Sequence, residues 1–416
     1  MILRTLPRVF LFSLAAAFLL AVPLAAAAMA EAPSQAPGVR IEIDPDKLPA
    51  PYATDSVANS AELVDRPSPP PFKLPPGFSV NEFAGGLSNP RWMAVAPNGD
   101  VFLTLPELGQ VLLLRDKDGD GKADLKTVFA AGFRRPHGLA VQDGYLYVAG
   151  TDGLWRVKLG SDRATGKPEM VTRPNAFGAG AQHWTRNVVF SPDGKRFFIA
   201  IGSLDNIGED PLPHATVQSF AADGSDQKTF AAGLRNPVGV AFYPGTNDLY
   251  TVVNERDGLG DGLVPDYLTR LQAGGFYGWP YAYIGHHPQP DFPSRPEMVA
   301  RTLTPDLLFQ SHSAPLGLVF YEGNMFPPDY QGDAFVALHG SWNASEPTGY
   351  KVVRVPFKDG RPQGYYENFL TGFWLEGRSP AQVWGRPAGL AVAADGSLLI
   401  ADDAGGVVWR VSYRKP

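Results

Sequence analysis

The sequence predicts an all-β fold, a six-bladed β-propeller of four-stranded antiparallel blades closed by an N-terminal strand. Three observations predict it. The 416 residues include 45 Gly, 40 Pro and 12% aromatic residues, with almost no runs of helical period beyond the N-terminus. That is the composition of many short strands joined by turns. A loop frame built on Pro and Gly, usually with a basic residue, recurs ahead of apolar runs. The last repeating unit ends one strand short, while a spare strand precedes the first.

The frame is clearest at Arg134-Arg135-Pro136-His137-Gly138-Leu139-Ala140, a tight loop before an apolar run that reads as a buried strand. It returns at Asn89-Pro90-Arg91-Trp92, Arg235-Asn236-Pro237-Val238-Gly239-Val240, Ala314-Pro315-Leu316-Gly317-Leu318 and Arg386-Pro387-Ala388-Gly389-Leu390. A Phe-x-x-Gly element ends the unit before most copies, as at Phe129 to Gly132 and Phe230 to Gly233. Units starting near Pro90, Pro136, Arg186, Pro237, Pro315 and Pro387 number six. Spacings of about 45 residues or more, repeated radially, mark a propeller. Phe78 to Phe83 is the spare strand, and pairing it with the last unit removes two sheet edges.

Outside residues 76–414, the propeller span, two segments stand apart. In residues 1–30, Arg4 and Arg8 precede an apolar run from Val9 to Val22, followed by Ala26, Ala28 and Ala30. This is a secretory signal pattern, too short in its apolar core for the roughly 20 residues of a membrane span. It predicts a periplasmic or secreted protein with no membrane span after cleavage. Residues 31–75 are rich in Pro, Ala and Ser and predict a flexible tether or surface strap. With no Cys, stability outside the cytoplasm must come from the core or from metals, and thiol chemistry is excluded. A net charge of −6 argues against a nucleic-acid partner.

In a propeller the residues before each first strand gather at one mouth of the channel. Arg91, Arg135 with His137, Arg186 with Asn187, Arg235 with Asn236, and Arg386 are expected to converge there. With no obvious carboxylate in the same frame, they predict a planar polycarboxylate or phosphate ligand. The acidic, Gly-rich run from Asn254 to Tyr267 contains Asp257, Gly258 and Asp261 and suits a hard cation such as Ca²⁺, or is a plain acidic turn. Asp116, Asp118, Asp120 and Asp124 match the first half of a calcium loop, but its twelfth position is Thr127. Structural Ca²⁺ and a metal-free turn both remain open there. No G-x-S-x-G elbow, P-loop or H-E-x-x-H motif is present.

Arg-Pro-His-Gly-Leu-Ala, Gly-Leu-Arg-Asn-Pro, the run from Asn254 to Gly-Gly-Phe-Tyr-Gly-Trp-Pro280, Gly-Ser-Trp-Asn at 340–343 and Arg-Pro-Ala-Gly-Leu-Ala together resemble the soluble quinoprotein sugar dehydrogenases. That glucose/sorbosone dehydrogenase family is six-bladed and uses pyrroloquinoline quinone (PQQ) and Ca²⁺. The resemblance is closest to its sorbosone branch. It implies an exported enzyme oxidising an aldose or sugar aldehyde at C1, with an external quinone or cytochrome as electron acceptor. It further implies His137 as general base, Arg235 and Asn236 holding the cofactor and polarising its reactive carbonyl, Asp257 and Gly258 offering backbone carbonyls to Ca²⁺, and Arg386 near the cofactor carboxylates. Leu105-Pro106-Glu107 and His339-Gly340 depart from the family pattern. A non-catalytic binding scaffold and a metal-dependent lactonase are the alternatives.

Overall fold

The computed structural model describes residues 35–178 and 182–415. The expected signal segment lies outside the described residues, and no helix among them is long and apolar enough to cross a membrane. The fold is all-β. Six sheets follow one another along the chain, each built on four antiparallel strands, and in five of them the four come in chain order. Their first strands are Met93–Val95, Leu139–Gln142, Arg186–Phe190, Asn236–Phe242, Pro315–Phe320 and Pro387–Val392. Each touches the next, and the last touches the first.

The recurring frame has a physical reason at this hub. A Cβ added to Gly138 would stand 2.6 Å from the Arg186 carbonyl oxygen, one on Gly239 2.7 Å from that of Leu316, one on Gly317 2.5 Å from that of Ala388, and one on Gly389 2.1 Å from that of Arg91. Only glycine lets adjacent first strands approach so closely. The residue between Pro and Gly is therefore buried at the hub. Val238, Leu316 and Ala388 pack there as a small apolar cluster. His137 holds the matching position in its own sheet.

The sixth sheet takes its fourth strand from the other end of the chain. Phe78–Ala84 pairs antiparallel with Val407–Tyr413, with Phe78 opposite Tyr413. Before it, the Pro-rich segment makes specific contacts. Arg40–Ile41 pairs with the edge of the fifth sheet at Glu367 and Tyr366, and Glu62–Leu63 runs parallel to Gln382–Val383. Phe72 packs edge-on against Phe373, Trp384 and Trp409 at 4.9–5.1 Å. Of the two forms expected for residues 31–75, its described part takes the strap. Its few apolar side chains anchor it, and Pro costs nothing where no N–H is needed.

Candidate active site

Antiparallel pairing brings the start of each first strand beside the end of the second. Arg186 lies opposite Ile201, Asn236 opposite Asn254, Pro315 opposite Leu338 and Pro387 opposite Asp402. Loops before first strands and loops after second strands thus share one face of the ring. They enclose a cleft of about 460 Å³ lined by Arg91, Arg235, Arg386, His183, His312, His339 and two tryptophans, with Val238 and Leu316 among its other lining residues. Two larger hollows, about 650 and 940 Å³, lie against the N-terminal strap and gather no such set of groups.

One wall is organised by Arg235. Its Nη2 pairs with Asp257 Oδ2 at 3.0 Å and donates to Asn206 Oδ1 at 2.9 Å, and Nη1 donates to the Glu255 carbonyl at 2.6 Å. Nε reaches the Asn206 carbonyl at 3.2 Å. That same carbonyl accepts from Trp279 Nε1 at 3.0 Å, which is how the Tyr-Gly-Trp-Pro element supports the wall. Asn343 donates to Asp257 Oδ1 at 2.7 Å. Burial alone would raise the Asp257 carboxyl, but His312, 3.6 Å away, and the Arg235 charge outweigh it and hold it low. Glu255 and Asp266, both fully enclosed, are pushed up by burial to about 8 and about 7. Asn236 lines the cleft with its Oδ1 unpartnered.

The opposite wall joins the first, fifth and sixth sheets. Asp403 pairs with Arg91 Nη1 and with His339 Nε2, the latter at 2.9 Å. Arg386 donates to the carbonyls of His339 and Gly340 at 3.0 and 2.8 Å. Burial opposes the Asp403 charge, and the His339 and Arg91 partners overcome it, holding the carboxyl well below the usual range. A depressed carboxyl contributes stability that is present above its unfolded pKa and lost as pH falls through the folded one. Asp403→Asn is therefore expected to cost about 3–5 kcal/mol at pH 7, the cost of breaking a buried pair. The difference from wild type should shrink below pH ~4 in urea titrations. A pH-independent difference would refute this assignment.

Several sequence expectations need correction. The guanidiniums do meet carboxylates, because Asp257 and Asp403 come from the ends of second strands, which the frame of first-strand loops did not include. Arg135 does not join the cleft; it is exposed and stacks its guanidinium 4.3 Å from the Trp184 ring centre. Arg186 lies wholly inside the hub, with Nη1 donating to the carbonyls of His183 and Thr185. His137 is not at an open mouth. It is 1% exposed, between Trp92 and Trp184 at ring distances of 5.3 and 5.5 Å, with Nδ1 unpartnered. Burial first, and then the charges of Arg91 and Arg186, keep it neutral. The Asp257 carbonyl, expected on Ca²⁺, already accepts from Asn206 Nδ2 and Arg256 Nε at 3.0 and 3.1 Å. Asp261 turns away to the strap side, where its Oδ1 caps the Ser345 N–H at 3.0 Å. Asp116, Asp118 and Asp120 do gather, at the surface, while Asp124 caps the Lys117 N–H instead.

Residues missed by the sequence reading include His183, His312 and Asp403, while His339, noted there only as a departure from the family pattern, lines the cleft. His183 and His312 stand just before first strands, the signal already used for His137. His183 lines the cleft with Nδ1 hydrogen-bonded to the Ser203 carbonyl at 2.9 Å, and burial, with the Arg235 charge, lowers it to about 4.

A family model described as TrAA12-like matches residues 72–264 and 297–414. One described as Glucose / Sorbosone dehydrogenase matches residues 211–342. The pyrroloquinoline quinone-dependent pyranose dehydrogenase of Coprinopsis cinerea is 26% identical over 410 residues, covering 80% of this chain and 53% of that one. The chain thus spans about half the length of that relative. The holo PQQ domain of the Coprinopsis cinerea pyranose dehydrogenase superposes with a TM-score of 0.69 at 22% identity, over 85% of this chain and 100% of that domain. The PQQ-bound aldose sugar dehydrogenase of Streptomyces coelicolor gives 0.57 at 18% identity, over 82% and 100%. At such identities these two structures bear on the fold alone. The sequence match extends over well more than half of the chain, which belongs to the TrAA12-like family, among the soluble quinoprotein sugar dehydrogenases.

Proposed function

We propose that this chain is a six-bladed propeller closed by its N-terminal strand, exported to the periplasm or beyond, that oxidises an aldose or sorbosone-like sugar aldehyde at C1 with PQQ. The observation that carries the reading is the cleft itself, where three guanidiniums line the wall beside a hub that buries His137 and Arg186 next to its apolar cluster. A planar quinone bearing three carboxylates fits this donor set. His183 and His339 are lowered to about 4 and Glu255 and Asp266 are raised by burial, so Asp257 and Asp403 are the low carboxylates that face the three guanidiniums. Among the described residues, Arg91 Nε and Asn236 Oδ1 have no partner.

Arg91, Arg386 and Asn236 would hold the cofactor. Arg235, whose N–H donors are all engaged, would supply charge and a rigid wall. When bound, the quinone supplies the two-electron acceptor, which an external quinone or cytochrome then reoxidises. The chain's own part is to orient the sugar and take its hydroxyl proton. His137 is the proposed acceptor, reached when the Trp184 indole turns aside. A second reading favours His183, because it stands on the cleft wall and its Nδ1 hydrogen bond to a carbonyl leaves Nε2 as the acceptor.

Ca²⁺ is proposed as the companion ion, and its removal belongs in the test. Purified protein titrated with PQQ, with and without Ca²⁺, is expected to bind it with a change in quinone absorbance. Arg235→Ala, which removes that charge and also strands Asp257, should weaken binding. An unchanged spectrum at saturating PQQ would overturn the reading. The lactonase alternative gains Glu255 and Asp257 in the cleft, but Asp257 is tied to Arg235. Among the described residues, three metal-ligating groups come together only at Asp116, Asp118 and Asp120.

A further inference from the structure

Where the strap passes the rim of the cleft, it takes hold of two rim loops. The Tyr52 N–H donates to the Leu259 carbonyl at 2.9 Å, and Thr54 Oγ1 accepts from the Asp261 N–H at 2.8 Å. Asp261 in turn caps the Ser345 N–H, which belongs to the second loop. Asn59, 9% exposed, grips that second loop directly. Its backbone N–H donates to the Trp342 carbonyl at 2.7 Å, and its Nδ2 donates to the carbonyls of Ala344 and Arg378 at 2.8 and 2.7 Å. The peptide before Trp342 is held as well, since the Ser341 carbonyl accepts from the Tyr350 hydroxyl. On the cleft side, Asn343 is tied to Asp257. Between these fixed peptides the Trp342 indole is 50% exposed and lines the cleft.

We propose that Trp342 is the platform on which the C–H face of a pyranose lies, and that Asn59 is the positioning residue that fixes its place on the rim. The proposal rests on the sugar reading above. A pyranose carries C–H bonds on its ring faces and hydroxyls around its edge, which suits an aromatic surface on one side and the polar cleft groups on the other. With its backbone held at both flanking peptides, Trp342 has only two side-chain torsions left to order, so a ligand meets a pre-formed surface. Trp184, the other tryptophan of the cleft, already carries the Arg135 guanidinium on its ring. The buried Asn59 amide is tolerated because carbonyls of the rim accept from it, and an apolar residue there would leave those carbonyls without their donor. Asn59 lies outside residues 72–264 and 297–414, so the hold on Trp342 comes from a segment that the family match does not include.

The test uses the full chain labelled with 5-fluorotryptophan, in which the Trp342 resonance is identified by its loss in Trp342→Phe. Methyl hexo- and pentopyranosides are the probes, because a blocked C1 hydroxyl permits binding without turnover. In wild type at least one of them should shift the Trp342 resonance. Asn59→Leu should move or broaden that resonance before any sugar is added, and should weaken sugar binding about tenfold. In protein loaded with PQQ, Asn59→Leu and Trp342→Ala should each raise KM for the aldose about tenfold with kcat within about two-fold, the split expected when binding shared by ground and transition states is lost. The double variant should be no worse than Trp342→Ala alone, because both changes act through one ring. A loss of stability alone would lower the amount of active enzyme without moving KM. A Trp342 resonance indifferent to Asn59→Leu, or KM effects that add, would overturn the role of Asn59. A resonance that answers to Asn59→Leu but to none of the sugars would overturn the platform. Aldose turnover by wild type with KM unchanged in Asn59→Leu sinks the proposal while the sugar reading stands; no turnover beside a sugar-responsive Trp342 supports the platform and counts against the oxidation.

Discussion

Replacing His137 with Gln is expected to lower kcat on an oxidisable sugar by about 10²–10⁴-fold, the range for losing a general base. The effect is assigned to this residue because three of the frame's other copies put Val238, Leu316 or Ala388 at its position. A polar group there costs burial without strengthening the hub. PQQ affinity should change little, since the cleft guanidiniums are untouched. The rate profile should also lack a limb near pH 6.5. The imidazole is held well below its ordinary value by burial and by Arg91 and Arg186, so it stays neutral as pH falls through that region. His183→Gln is the control. A large loss there, with His137→Gln within a few-fold of wild type, would move the proton acceptor to the cleft wall.

Deleting residues 1–84 is expected to leave a chain that does not fold stably. The closing strand Phe78–Ala84 and the strap before it would be lost together, exposing the edge of Val407–Tyr413. Phe78 alone meets Phe326, Phe369 and Tyr413 at 4.8–5.0 Å. Phe78→Ala should cost about 3 kcal/mol, the low end of the range for a Phe because the ring is half-buried. Against a total of about 5–15 kcal/mol, losing the whole element is decisive. Chemical denaturation measures both. An unaltered melting temperature in the 1–84 deletion would contradict closure by this strand.

The sequence alone determined the repeat, the six first strands and the His at the hub position. Those features are local. A Gly that must admit a neighbouring backbone, a Pro that stiffens its loop and an apolar run that must be buried each act within a few residues, and each recurs. The spare strand was legible too, because a strand without a partner is a deficit that can be counted. Only the tertiary structure decided the electrostatics. Arg91 finds Asp403 across 312 residues of chain, and Asn343 meets Asp257 across 86. Such pairs depend on which loop ends share a face, and antiparallel pairing across the ring sets that, not spacing in the chain. The cover over His137 was equally out of reach. Trp184 precedes a first strand like any other loop residue, and only packing of neighbouring sheets turns its ring onto the histidine. Short-range sterics are written in the order of residues; charge balance and access to a buried group are properties of how the sheets pack together.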